Sequence, residues 1–373
     1  MNFLTKGNPG GARGEIELRS DTFTLPTSAM RQAIANAELG NDQYGEDPTV
    51  NHLEELAAGM LRKEAACLVV SGTMANQCCL LAWRNLGRKD VLVGDQSDIF
   101  VYEDHTIPEW AGIRYHALLT QPGGTLLLED IRRKLREFDA QGALKAVLCL
   151  ENPHNLKGGI VLGMEYLKEV AEALRVQDVA VHMDGARIFN AAARLQLSPA
   201  EIAQCSDSLQ FCLSKGLAAP VGSMVAGRSA FIQEVRRQRK ILGGDMRQAG
   251  IVAAAGIVAL EQMAGRLEED HVHAKALAEG LARIPGIQVD LNTVQTNTVV
   301  FQVTDKRFDC DSFIAAAWRY GLHVSEFEYG RIRAVTHHGI TSNEVEAAIR
   351  IVVNIMQLGP GDGIKPDFVE QFA

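Results

Sequence analysis

Short apolar runs alternate with helical patterns along most of the chain, and the runs end on residues able to do chemistry. Residues 67–71 form an apolar run that hands over at Gly72-Thr73 to a helix reaching about Leu86. Residues 90–94 and 143–150 read as further strands, the second ending at Glu151-Asn152. Residues 166–175 place apolar side chains at 167, 170, 171 and 174, a helical spacing. The run 179–183 ends at Asp184, the run 209–213 stops just before Lys215, and 223–226 is a further short strand. Alternation of this kind predicts an α/β fold, with a mainly parallel central sheet covered by helices on both faces. Ligands of such sheets bind beyond the carboxyl ends of the strands. Gly72-Thr73, Asp184 and Lys215 all fall at such ends.

Upstream, 29–37 and 50–61 read as helices around a turn-rich 41–51. The texture changes after Gly250. An alanine-rich apolar helix (251–263) runs into a charged stretch (266–273). Strands at 287–291, 298–303 and 331–336 and helices at 310–320 and 342–356 then suggest a smaller α+β domain. The expected organisation is an arm and first helix over 1–40, a large domain over 41–255, a small one over 256–357, and a tail over 358–373.

The chemistry-bearing residues read as follows. Lys215 sits in Ser-Lys-Gly after a buried run, before a segment rich in small residues. It is either an exposed loop lysine or a desolvated amine nucleophile, since burial lowers an ammonium pKa. Ser71-Gly72-Thr73 joins a strand to a helix, where free N–H groups and the dipole favour a phosphate. An ordinary helix cap looks the same. His182 and Asp184 share one face of a strand. They suit either a metal or, for Asp184, a protonated pyridine nitrogen, although no third metal ligand is evident. A lysine, a phosphate cradle and an acid for a ring nitrogen are together the parts that pyridoxal 5'-phosphate needs.

Composition narrows the setting. The 373 residues carry a net charge of −9, which disfavours non-specific nucleic-acid binding. The basic run Arg236-Arg237-Gln238-Arg239-Lys240 reads better as a helix face or subunit contact. Seven cysteines lack paired or metal-ligand spacing and mostly lie in apolar runs. With no signal-peptide pattern at the start and no apolar run judged long enough to cross a membrane, a reduced, cytoplasmic setting without membrane partners is the expectation.

Eight segments carry a resemblance. They are LRSDTFTLPT (18–27), YGEDPTVN (44–51), SGTMAN (71–76), LEN-x-HN (150–155), HMDGARIFNAA (182–192), CLSKGLAAPVGS (212–223), RRQRKILGGDMRQAG (236–250) and RIRAVTH (331–337). In this order they resemble the low-specificity L-threonine aldolases, within the fold-type-I pyridoxal-phosphate enzymes, from about residue 16 to 357. The resemblance implies Lys215 as the Schiff-base lysine, Asp184 as partner of the pyridine nitrogen and Gly72 and Thr73 as phosphate binders. It puts Arg187 beside cofactor and substrate, and Ser20 and Arg333 on the substrate carboxylate. A guanidinium fork suits that last task. His154 matches a histidine near the substrate hydroxyl and is the expected base. Tyr44 and Arg247 match positions lining the site, from a neighbouring subunit of a homotetramer (a dimer of dimers).

Three departures stand out. The segment 91–99 has Asp98 where the family has a histidine that stacks on the cofactor ring. An alignment shifted to His105 is opposed by Tyr102-Glu103, which match without a gap. Pro153 replaces a threonine, and Asp245 the last glycine of a GGG. Asp98 is therefore counted among the cofactor-binding and catalytic candidates, as a rival base. The implied activity is cleavage of L-threonine, L-allo-threonine or a related β-hydroxy-α-amino acid to glycine and an aldehyde. The alternative is a diverged lyase, aldol-type synthase or transaldolase using the same cofactor.

Overall fold

The computed structural model describes residues 14–103, 109–140, 145–328 and 330–360. The glycine-rich start, His105 and the end of the tail lie outside these residues. Two compact units result: Thr24–Asp270, and the residues up to Phe23 together with those from His271 onward. The boundary thus differs from the expected 255/256. It falls inside a continuous helical run, Gly250–Leu281, within the charged stretch 266–273, where no loop marks it.

The larger unit is built on a seven-stranded sheet. Its strands are β2 (Ala65–Val69), β3 (Asp90–Gly94), β4 (Arg114–Leu118), β5 (Ala146–Glu151), β6 (Ala180–Asp184), β7 (Ser208–Cys212) and β8 (Ser223–Gly227), in the order β2-β8-β7-β6-β5-β3-β4. Every pairing is parallel except those of β8, which runs against both β7 and β2. The cause is local. Leu213 N–H donates to Gly222 O at 3.0 Å, closing a short turn after β7. Parallel strands need a crossover of a dozen residues or more, so a connection this short returns antiparallel. Strands β3, β5, β6, β7 and β8 are buried at every position, as strands covered on both faces must be.

Helices α1 (Ser28–Ala35), α2 (Pro48–Leu61), α3 (Gly72–Asn85) and α4 (Asp98–Val101) precede β4. Asp47 caps α2 through Thr49 and Val50, with Pro48 in the first turn. Strand β4 and the helix Leu128–Ala140 lie where the sequence offered no expectation. An edge strand such as β4 has exposed and half-buried positions and so lacks an apolar run. The helix is dominated by charge, with Ile131, Leu135 and Phe138 buried on one stripe.

The run Gly250–Leu281 is, by length and composition, long and apolar enough to cross a membrane, contrary to the expectation that no such run exists. Over half of its most apolar window is buried in the protein, and Ala253, Ala255, Val258, Leu260 and Met263 belong to the main core with Leu53, Leu209 and Phe211. All seven cysteines are free, and six are buried.

The smaller unit has an antiparallel sheet ordered β12-β13-β10-β9 from β9 (Ile287–Val289), β10 (Thr298–Val303), β12 (Ser325–Glu326) and β13 (Ile332–Val335). Beside it, β1 (Ile16–Glu17) pairs in parallel with β11 (Leu322–His323). Phe301, Phe313, Val299, Ile332 and Leu277 share its core.

Candidate active site

The site of the larger unit assembles at the carboxyl ends of β2, β5, β6 and β7. At the end of β2, Ser71 takes an extended backbone and its side chain accepts from Met74 N–H at 3.1 Å, starting α3. Gly72 opens that helix where no side chain fits: a Cβ there would lie 2.9 Å from Cys212 Sγ. Ser223 Oγ, 3.8 Å from the same point, is buried without a partner among the described residues. Thr73 is exposed on the first turn.

Asp184, the last residue of β6, is 4 % exposed. Its Oδ1 accepts from Gln210 Nε2 at 2.6 Å and Ala186 N–H at 3.0 Å, and its Oδ2 from Asn76 Nδ2 at 2.8 Å. Three donors of this kind favour the ionised carboxylate. Both ring nitrogens of His182 are engaged, Nδ1 with Ser208 Oγ at 2.9 Å and Nε2 with Asn76 Oδ1 at 3.3 Å. Among the described residues no cluster of three acidic, histidine or cysteine side chains could hold a metal. Of the two uses weighed for Asp184, a ring nitrogen is the one this donor set suits.

Lys215 lies beyond β7 in a turn closed by Ala218 N–H to Lys215 O at 2.8 Å, and Thr24 Oγ1 donates to the same carbonyl at 2.9 Å. Ala218 is left-handed at φ 62° and fully buried. A non-glycine residue held there marks a turn whose shape the surroundings fix. Lys215 is half-buried. Arg187 occupies the N-cap position of the helix Ile188–Leu195, and its charge reaches Asp98.

Asp98 is the first residue of α4 and is held from two sides. Its N–H donates to Glu151 Oε2 at 2.8 Å, and its carboxylate accepts from Asn155 Nδ2 at 3.0 and 3.3 Å. Glu151 Oε1 accepts Asn155 N–H at 2.7 Å, so one buried carboxyl pins both segments. Burial and then the neighbouring Asp184 charge push the Asp98 carboxyl up, against Lys215 and Arg187, which pull it down. Burial, Asp98 and Asp184 push Glu151 well above its usual range.

His154 follows a cis Asn152–Pro153 bond and is 2 % exposed. Among the described residues neither ring nitrogen has a hydrogen-bond partner, and Nδ1 is 3.9 Å from Glu151 Oε1. Burial, helped by Lys157, lowers its pKa to about 4. An enclosed neutral imidazole with two unfilled positions is a proton acceptor awaiting a donor.

Tyr44 is 73 % exposed. Its turn is tied to the segment of Arg247 by Asp42 N–H to Arg247 O at 2.9 Å and to the buried Arg239 by a 2.9 Å ion pair with Asp42. Asp42, Arg236, Arg237, Arg239 and Asp245 line a depression of about 520 Å³ there.

Ser20 and Arg333 belong to the smaller unit. Val335 N–H donates to Leu18 O at 2.8 Å and Ser325 Oγ to Arg19 O at 3.3 Å, tying the segment before Ser20 to β13 and β12. Arg333 is the register partner of Ser325, so both residues lie at one corner of the small sheet. The Arg333 guanidinium lies 5.3 Å from the Phe327 ring centroid.

Asn76, Glu103, Glu151, Asn155 and Gln210 were not singled out from the sequence, yet they hold the site's carboxylates. Gln210 and Ser208 carried one signal, polar residues at alternate positions of an apolar strand. Asn76, one turn into α3 from Gly72, carried another.

A helix N-terminus where a side chain is excluded, an acid with three donors and a lysine on a fixed turn together fit pyridoxal phosphate. The comparisons agree. The beta-eliminating lyase family matches residues 17–305. Low-specificity L-threonine aldolase 1 of Arabidopsis thaliana is 40 % identical over 88 % of this chain and 93 % of its own. The low specificity L-threonine aldolase of Escherichia coli (strain K12) is 43 % identical over 71 % of this chain and 79 % of its own. The solved threonine aldolase of Leishmania major superposes with a TM-score of 0.73 at 17 % identity, covering 91 % of this chain and 98 % of that one.

Proposed function

The chain belongs to the beta-eliminating lyase family, in its L-threonine aldolase branch, and from that premise we propose that it cleaves L-threonine, L-allo-threonine or a related β-hydroxy-α-amino acid to glycine and an aldehyde. It is a pyridoxal-phosphate-dependent carbon–carbon lyase of fold type I. The observation that carries the cleavage reading is His154, a buried neutral imidazole with both nitrogens unfilled beside the acid-lined site.

When bound, pyridoxal phosphate supplies an electron sink for the pair released as the Cα–Cβ bond breaks. The chain's own residues do the rest. Lys215 would offer the amine that holds the cofactor's aldehyde carbon. Asp184, whose carboxylate accepts from Ala186 N–H, Gln210 and Asn76, would accept from the ring N–H. The first turn of α3, with Gly72 and Thr73, would take the phosphate. Arg187 flanks the site, and Ser20 and Arg333 are read as the substrate-carboxylate grip. His154 takes the β-hydroxyl proton, so the β-carbon leaves as a carbonyl while Cα regains a proton to become glycine. Asp98 is the second candidate for that base. Its carboxylate already accepts from Asn155, whereas His154 has no competing partner, which favours His154.

We also read the protein as a homotetramer in which Tyr44 and Arg247 reach a neighbouring subunit's site. The exposure of Tyr44, Ile241 and Ile251 supports this, and light scattering measures it. Assembly to a monomer alone is the contrary result. The alternative of a diverged synthase or transaldolase is not favoured, since relatives covering most of the chain are named threonine aldolases. The test is release of glycine and aldehyde from a panel of β-hydroxy amino acids. Failure to cleave any of them defeats the proposal.

A further inference from the structure

Behind the site runs a chain of buried and half-buried polar groups that cleavage does not use. Trp83 Nε1 donates to Ser208 Oγ at 2.9 Å, Ser208 Oγ lies 2.9 Å from His182 Nδ1, and His182 Nε2 lies 3.3 Å from Asn76 Oδ1. Asn76 Nδ2 then donates to Asp184 Oδ2 and to Glu103 Oε1, both at 2.8 Å. The directions are forced. The amide nitrogen faces two carboxyl groups, so the amide oxygen faces His182 and accepts. His182 therefore carries its hydrogen on Nε2, and Nδ1 accepts from the Ser208 hydroxyl, whose oxygen accepts from Trp83. Burial keeps His182 neutral, with its pKa lowered to about 4.

The chain ends on two acids with unequal support. Asp184 receives three donors. Glu103 receives Asn76 alone, and its Oε2 is buried with no hydrogen-bond partner among the described residues. Two acids joined through one amide cannot both ionise cheaply. The proton settles on the one with less support.

We propose that Glu103 is a positioning residue held as a neutral carboxylic acid, and that Glu103 and Asn76 together keep Asp184 the ionised member of the pair. The inference rests on the reading of Asp184 as partner of the cofactor's ring nitrogen. It adds what keeps that carboxylate charged. An ionised Glu103 would raise the proton affinity of Asp184 by like-charge repulsion, and a protonated Asp184 cannot accept from a ring N–H. The groups facing Glu103 are Asp184 on β6, Asp98 on α4, Lys215 after β7, Tyr115 on β4 and Cys149 on β5. Of these, only Lys215 favours the charged form. Burial and the two aspartates push the Glu103 carboxyl up to about 8.

The test is infrared spectroscopy of the holoenzyme near pH 6.5. Subtracting the Glu103→Gln spectrum should leave the carbonyl stretch of a neutral carboxylic acid, and in the wild type that band should fade as the pH rises through about 8. No acid band lost on substitution overturns the proposal. Should Glu103→Gln not fold, Glu103→Asp must shift the band, and a band that stays in place overturns it equally. The positioning role is read from pyridoxal phosphate affinity of the apoprotein. Asn76→Ala should weaken it about tenfold, the loss of one hydrogen bond to a charged group. If Asp184→Ala weakens binding and Asn76→Ala does not, the positioning role fails. If Asp184→Ala itself has no effect, the reading of Asp184 fails instead, while the infrared result still decides the protonation of Glu103.

Discussion

Lowering the pH separates an enclosed His154 from an ordinary one. A solvent-exposed imidazole has a pKa near 6.5, and burial brings His154 to about 4. At pH 5.5 an ordinary imidazole is about 90 % protonated, whereas one with a pKa of 4 is about 3 % protonated. The proton-accepting form therefore differs by roughly tenfold between the two cases. The same shift makes stability pH-dependent. Between pH 6.5 and about 4 the unfolded chain binds the proton that the folded chain refuses. Stability is thus present above 6.5 and lost as the pH falls, by about 1.4 kcal/mol per pH unit for His154. His182 adds a similar slope, since burial lowers it likewise. The assay is histidine-selective 15N NMR. The chain has ten histidines, and His154→Gln identifies the resonance. Circular dichroism at each pH confirms that the protein is still folded. The ring should remain neutral down to about pH 5, and His154→Gln should slow cleavage by about 10²–10⁴-fold, the range for a general base. A His154 ring that titrates near 6.5 refutes the reasoning.

Arg239→Ala leaves Asp42 buried without its ion-pair partner, the two side chains being 3 % and 2 % exposed; it should cost about 3–5 kcal/mol in chemical denaturation, and a cost below 1 kcal/mol would show that the pair is not structural. Gly185→Ala places a Cβ 2.9 Å from the backbone oxygen of Gln210, which cannot move as a side-chain tip can. The expected loss is about 1–3 kcal/mol, with weaker pyridoxal phosphate binding because Gln210 supports Asp184; unchanged affinity in a destabilised variant would detach Gln210 from the cofactor. Asp98→His restores the residue of the resembling family. If Asp98 does not redirect the chemistry, the rate of L-threonine cleavage should change by less than about tenfold, one transition-state interaction of ~1.4 kcal/mol. A larger gain revives the diverged-enzyme alternative.

The strands and the residues at their ends were legible because burial on both faces writes continuous apolar runs. Strands β3, β5, β6 and β7 could be read to within two or three residues. Lys215 and Asp184 stood out because each follows or ends such a run with a charge the interior does not tolerate unaided, and Gly72 because it opens a helix directly after one. Strand β4 was not legible, since an edge strand is polar on its open side. The unit boundary was not legible either, because it lies within a helix and depends on contacts rather than composition. Asn76, Glu103 and Glu151 were missed for a different reason. Their roles are set by partners far apart in sequence, such as Asn76 with Asp184, and no local pattern records a pairing at that separation.

Charge explains how the site accommodates Asp98. Four carboxyl groups, Asp98, Glu103, Glu151 and Asp184, act on one another there, with Lys215 and Arg187 as the cations that oppose them. Four buried anions against two cations would be costly. Burial and mutual repulsion push Glu103 and Glu151 up most clearly, to about 8 and well above the usual range. Lys215 and Arg187 act on Asp98 in the opposite sense and offset part of the repulsion among the acids. Side-chain amides donate to three of the four: Asn155 to Asp98, Gln210 and Asn76 to Asp184, and Asn76 to Glu103. An aspartate at position 98 is therefore tolerated through protons retained on its neighbours rather than through a new cation. It follows that Glu151→Gln, which removes one of those protonated acids without changing shape, should leave the cofactor absorbance at pH 7 in place. Glu151→Ala, which also releases the N–H groups of Asp98 and Asn155, should perturb it. Equal perturbation by both would mean that Glu151 is charged, and that the balance is struck in some other way.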